Sequence, residues 1–99
     1  MSTFRTEAEF QSAVCALARR LGCSVFHPQN VKRSEPGFPD LTILGKRGLL
    51  FRELKTQEGR LRPEQADWLA KFDKANIDAA VWRPSDWPER VTAELRAIS

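Results

Sequence analysis

Apolar residues recur along this chain with two different periods, and the changes of period mark its elements. Thr6-Glu7-Ala8-Glu9 has the form of a capping box, with Thr6 as N-cap and Glu9 at the third helical position. Phe10, Val14, Leu17 and Leu21 follow as one helical stripe that stops at Gly22. Ser24 to His27 is a short strand ended by Pro28, and the Pro- and Gly-rich stretch from 28 to 39 is loop. Leu41 to Leu44 and Leu49 to Lys55 are strands joined across Gly45-Lys46-Arg47-Gly48, a hairpin. Pro63 suits a helix start, and Gln65, Trp68, Leu69 and Phe72 give that helix its stripe. Ala79 to Trp82 reads as a last strand. Asp86 and Glu89 then form a second capping box for a closing helix carrying Val91, Leu95 and Ile98. The order is α-β-β-β-α-β-α, an α/β layer domain with a small mixed sheet covered by helices.

Composition narrows the class. Ninety-nine residues, 41% hydrophobic and 29% charged, suit a single domain over 1–99 with one modest core. No apolar run approaches the ~20 residues of a membrane span, and Met1-Ser2-Thr3-Phe4-Arg5 leads into the first helix without a signal-peptide core, so a cytoplasmic protein is expected. Cys15 and Cys23, with His27 to help, fall short of the four ligands of a structural zinc site and are expected to act as small buried hydrophobes. The net charge is only +3, but Lys32, Arg33, Lys46, Arg47, Arg52, Lys55, Arg60 and Arg62 face four acids within one segment. A basic segment is a nucleic-acid footprint only when something else within it calls for a polyanion.

The hairpin supplies that second feature. If Gly45 to Gly48 make the turn, Leu44 lies opposite Leu49 and, by the same register, Asp40 lies opposite Glu53. The two carboxylates then share one face with Cβ atoms roughly 4.5–5.5 Å apart, and Lys55 shares that face by the period of two. Two opposed acids weaken a hairpin unless a cation lies between them. Mg²⁺ bound by one or two carboxylates, waters and substrate phosphate oxygens would resolve the repulsion. Lys55 would then stabilise a phosphate or orient water. A surface Glu–Lys pair beside an unrelated loop aspartate is the plain alternative.

Pro39-Asp40, followed by Glu53-Leu54-Lys55, resembles the signature of the PD-(D/E)XK nuclease superfamily. Its setting is more specific: Glu7 to Val14, Phe26-His27 with Asn30, Arg33-Ser34, Gly37 to Leu41, Gly59-Arg60-Leu61, and Gln65 with Trp68-Leu69. In that order these residues resemble the compact VRR-NUC branch over about 6–84. The resemblance implies a restriction-endonuclease-like core and Mg²⁺- or Mn²⁺-dependent hydrolysis of DNA phosphodiesters. It also implies a preference for branched DNA like that of the similar Holliday-junction resolvases, in a bacterial or phage-encoded intracellular protein.

Carried onto this chain, the resemblance makes Asp40 and Glu53 metal-binding acids, joined by the Leu54 carbonyl, and Lys55 the catalytic lysine. The helix glutamate is Glu7 or Glu9; Glu7 shares the inward stripe with Phe10 and Val14, while Glu9 has a capping role. Gln65 matches a glutamine of the catalytic centre, and a polar residue on a buried stripe needs a partner. His27 and Asn30 match residues beside the site, where they would contact DNA with Lys32, Arg33, Arg60 and Arg62. A homodimer is expected too, because even cutting of a junction takes two sites, and Trp68, Trp82 and Trp87 exceed what a small core easily holds. A helicase or other replication or repair partner fits the same setting. The rival readings are a nuclease-like fold that binds nucleic acid without cutting it, a restriction or RNA-directed nuclease, and a structural α/β domain.

Overall fold

In the computed structural model, which describes residues 4–28 and 35–99, the elements follow the predicted order. Helix α1 spans Glu7–Arg20, β1 Ser24–Phe26, β2 Leu41–Leu44, β3 Leu49–Leu54, α2 Pro63–Lys74, β4 Ala79–Trp82 and α3 Glu89–Ile98, with a 3₁₀ turn at Pro84–Asp86 before α3. The strands lie in the order β1-β2-β3-β4. The β1–β2 and β2–β3 pairs are antiparallel and β3–β4 is parallel, so the sheet is small and mixed.

One sheet face carries Leu41, Ile43, Leu50 and Leu54 inward against Phe10, Val14 and Ala18 of α1 and Val91 and Leu95 of α3. Cys15 and Cys23 are buried in the same cluster, and desolvation pushes the Cys15 thiol up from its ordinary pKa, in keeping with an inert apolar role. The opposite face carries Phe51 beneath α2, where Phe51 stacks on Phe72 at 4.7 Å. Only Gln65 of α2 is buried, so this helix covers its face loosely. Phe26 on β1 and Leu44 and Leu49 of the hairpin stay exposed.

Helix ends explain the chain reversals. Glu9 N–H donates to Thr6 Oγ1 at 3.1 Å, while Glu9 Oε2 accepts from the Arg5 amide at 3.3 Å, one residue before the cap. At the other end Gly22 N–H donates to Arg19 O and Cys23 N–H to Ala18 O, a Schellman closure with Gly22 at φ +88°. The second capping box forms differently from its sequence pattern. Asp86 Oδ2 accepts from Arg83 N–H at 2.7 Å and so closes the 3₁₀ turn, whereas α3 starts from Pro88 without a side-chain cap.

Two further expectations are corrected. Arg52 is 2% exposed and lies on the core face between Leu50 and Leu54, so it is no part of a DNA-facing surface. It pairs with Asp78 and Glu94 at 2.9 Å each and sits 5.0 Å from the Trp82 ring centroid. Burial raises the Glu94 pKa, but the hydrogen bonds from Trp82, Arg90 and Arg52 outweigh it and hold the carboxyl below its ordinary value. Of the three tryptophans counted as spare, Trp82 is taken up by the core, while Trp68 and Trp87 are half-buried against other rings. Trp82 is fully buried, Trp87 packs edge-on against Phe4 at 5.5 Å, and Trp68 joins a ring cluster with Phe38 and Phe72. Large core side chains contribute too much burial energy to a chain this size to be left at the surface.

Candidate active site

The β2–β3 register pairs Leu44 with Leu49 and Leu41 with Arg52. One further step sets Asp40 across from Glu53, where the hairpin arithmetic puts them. Asp40 anchors the strand end directly: its Oδ2 accepts from the Leu54 amide at 2.8 Å. The first turn of α1 closes on the same point, so one carboxylate oxygen each of Glu7, Asp40 and Glu53 lies within 4.8 Å of the others. Glu9 remains in its capping bond, outside this group.

Glu53 is the acid under most strain. It is 3% exposed, and its Oε1 has no hydrogen-bond partner among the described residues. Its Oε2 accepts from Gln65 Nε2 at 2.9 Å and lies 3.6 Å from Lys55 Nζ. Burial first, then the charge and carboxyl contact of Asp40, push the Glu53 pKa up to about 8; Lys55 opposes this and Glu7 adds to it. A buried carboxylate oxygen with no donor, facing two more acids, is an arrangement that takes up a proton when metal-free and that a hard divalent cation, shared by all three acids, also satisfies. Three carboxylate donors with no thiol or imidazole among them suit Mg²⁺ or Mn²⁺ in type.

Gln65 meets the need that a buried polar side chain creates. Its Oε1 accepts from the Arg62 amide at 2.8 Å, which caps α2, and its Nε2 holds Glu53. His27 is exposed, and its Nδ1 lies 3.1 Å from Asp40 O. A carbonyl only accepts, so Nδ1 is the donor in this bond. Arg60 and Arg62 are exposed on the segment leading into α2. Asn30, Lys32 and Arg33 lie outside the described residues.

Arg83 carries no motif, and reading the sequence overlooks it. Its guanidinium donates to Thr56 O at 2.8 Å and Gly59 O at 2.6 Å, and so shapes the turn directly after Lys55. An arginine between a strand and a proline gives no signal of this. Only the return of β4 alongside β3 brings it there.

The model of the VRR-NUC domain matches residues 5–86. The chain belongs to the VRR-NUC family. Two solved VRR-NUC structures resemble it. One has a TM-score of 0.66 and 27% identity over 76% of this chain and 81% of its own. The other has a TM-score of 0.70 and 22% identity over 94% and 87%. The Holliday junction resolvase Hjc of Archaeoglobus fulgidus is similar in fold, with a TM-score of 0.56 and 17% identity over 77% of this chain and 67% of that one. No curated protein matches. Among the described residues, no helix of this VRR-NUC chain is long and apolar enough to cross a membrane.

Proposed function

We propose that this protein is a divalent-metal-dependent endonuclease that hydrolyses phosphodiester bonds in branched DNA. The observation that carries the reading is the convergence of Glu7, Asp40 and Glu53 beside Lys55 at the end of β3. Membership of the VRR-NUC family supports nuclease chemistry, and the likeness to a Holliday junction resolvase supports a branched substrate.

Asp40, Glu53 and Glu7, with the Leu54 carbonyl, would hold Mg²⁺ or Mn²⁺. When bound, such a cation supplies Lewis acidity to a phosphodiester and makes water more acidic. Lys55 stabilises charge on the phosphate under attack. Gln65 is a positioning residue that holds the Glu53 carboxylate while its other oxygen stays free. His27, Arg60 and Arg62 hold the DNA backbone, together with Asn30, Lys32 and Arg33, through contacts that carry no sequence information. The working form is a homodimer acting as one nuclease domain per chain, because paired cuts across a junction need two sites related by a two-fold axis. A helicase or another replication or repair protein would deliver branched DNA.

The test is incubation with linear duplex, flap, nicked and four-way DNA in Mg²⁺, Mn²⁺ or EDTA. Cleavage of branched forms in Mg²⁺ or Mn²⁺, abolished by EDTA and by Asp40→Asn, is expected. Binding without cleavage in every metal would overturn the catalytic reading. Light scattering with and without four-way DNA checks the dimer: a mass that stays at one chain would refute it.

A further inference from the structure

Beside the acids lies a cleft of about 750 Å³, within the ~300–1,000 Å³ range of small-ligand sites. Asp40 belongs to both the cleft and the acidic cluster, and Gln65 lines the cleft while donating to Glu53, so an occupant of one adjoins the other. The walls carry three aromatic rings, Phe26, Phe38 and Trp68, with His27 and Arg62 as polar neighbours.

Two of the rings are held in place by the fold itself. Trp68 Nε1 donates to Pro36 O at 2.9 Å, tying α2 to the loop. Phe38 packs edge-on against Trp68, Phe51 and Phe72, at 5.1–5.8 Å between centroids. Between them Gly37 has φ +90°, and a Cβ there would come within 2.5 Å of the Glu64 carbonyl carbon. The loop therefore seats directly on the first turn of α2, and only glycine permits it. Phe26 differs. It is 63% exposed on an edge strand, a position where a large apolar ring invites aggregation and contributes little to the core.

We propose that this cleft receives one unpaired nucleobase of the DNA strand being cut, with Phe26 as its stacking platform. The proposal rests on the nuclease reading above and adds a determinant of substrate structure to it. A paired base inside a duplex has both faces covered by its neighbours, whereas an unpaired base at a flap or branch point offers a π-face to an aromatic side chain. A strand whose phosphate lies at Asp40 brings its adjoining base to the cleft. His27, oriented by its bond to Asp40 O, stands on the wall of the same cleft. Because the Phe38 and Trp68 walls exist before binding, little ordering cost opposes the stacking.

The experiment uses the intact protein and flap DNA whose unpaired nucleotide beside the cleavage position is adenine, 2-aminopurine or an abasic analogue. Binding is read by anisotropy, stacking by quenching of 2-aminopurine emission, and cleavage in Mg²⁺ or Mn²⁺ alongside. Wild type should bind the base-bearing flap about 5- to 150-fold more tightly than the abasic one, the range of one base–aromatic stack. Phe26→Ala should lose most of that preference and the quenching, and Phe26→Trp should keep both. Phe26 lies outside the core, so folding of both variants is expected and is checked by thermal melting. Equal affinity for base-bearing and abasic flaps, unmoved by Phe26→Ala while cleavage persists, would overturn the base site and leave the nuclease reading standing. Failure to bind or cut any DNA would overturn both.

Discussion

Replacing Glu53 by glutamine should make the metal-free protein more stable near neutral pH and flatten the pH dependence of its stability. Folding moves this carboxyl from 4.5 to about 8, chiefly by burial. A raised folded pKa gives a contribution that is complete below 4.5 and is lost as pH climbs through 8. The slope for one proton is about 1.4 kcal/mol per pH unit. Going from pH 5 to pH 7 in EDTA should therefore cost wild type about 2–3 kcal/mol, or about 10–20 °C in Tm for a chain of this length. Glutamine keeps the acceptor for Gln65 Nε2 and can donate toward Asp40, so Glu53→Gln should show little of this loss. Glu94 has the opposite sign: its depressed pKa contributes above 4.5 and fails only at lower pH, outside the window. The assay is thermal or urea unfolding of both proteins at pH 5, 6, 7 and 8 in EDTA, repeated with Mn²⁺. Mn²⁺ should restore wild type at pH 8 far more than the variant, since cation and proton compete for one carboxylate. Parallel pH profiles for the two proteins in EDTA would refute the buried, cation-seeking role of Glu53.

Gln65→Leu strips the donor from Glu53 Oε2 and the acceptor from the Arg62 amide. It should cost roughly 1–3 kcal/mol in urea unfolding and lower kcat more than it raises KM. Glu7→Gln should reduce cleavage sharply at unchanged Tm, whereas Glu9→Gln, still able to accept from the Arg5 amide, should leave cleavage intact; initial rates on flap DNA separate them. Arg52→Ala removes a buried guanidinium from part-buried pairs with Glu94 and Asp78 and should destabilise by roughly 1–3 kcal/mol in urea unfolding. Arg60→Ala should leave stability unchanged and shallow the salt dependence of DNA binding by about one unit of slope.

The acidic cluster and the cleft share Asp40, and Gln65 joins them by lining the cleft and donating to Glu53. Under the proposed function, holding a scissile phosphate at the acids and an unpaired base in the cleft would be parts of one binding event. Arg83 shapes the turn that follows Lys55, so β4 supports the site without contributing a carboxylate.

What could be read from the sequence rests on short-range rules. Helix and strand periods give the order of elements, and the glycine-bounded turn sets the hairpin register. That register opposes Asp40 to Glu53 with Lys55 on the same face, because side-chain alternation along paired strands leaves one arrangement once the turn is known. The same alternation places Arg52 between Leu50 and Leu54, on the inward face; counting charge along the chain hides this, since charge counts ignore which side a residue faces. The rest depends on packing between residues far apart in the chain. Glu7 joins the acids only because α1 lies across the sheet with its first turn at the end of β3, a rotation set by how Phe10, Val14 and Ala18 fit the core. Trp82 disappears into that core and Arg83 reaches the turn at Thr56 because β4 lies parallel to β3. The cleft exists because Gly37 lets a loop press against α2 while β1 leaves Phe26 in water. Local sequence encodes dihedral preferences and periodicity, but helix rotation and loop docking follow from how all the side chains fill one shared interior.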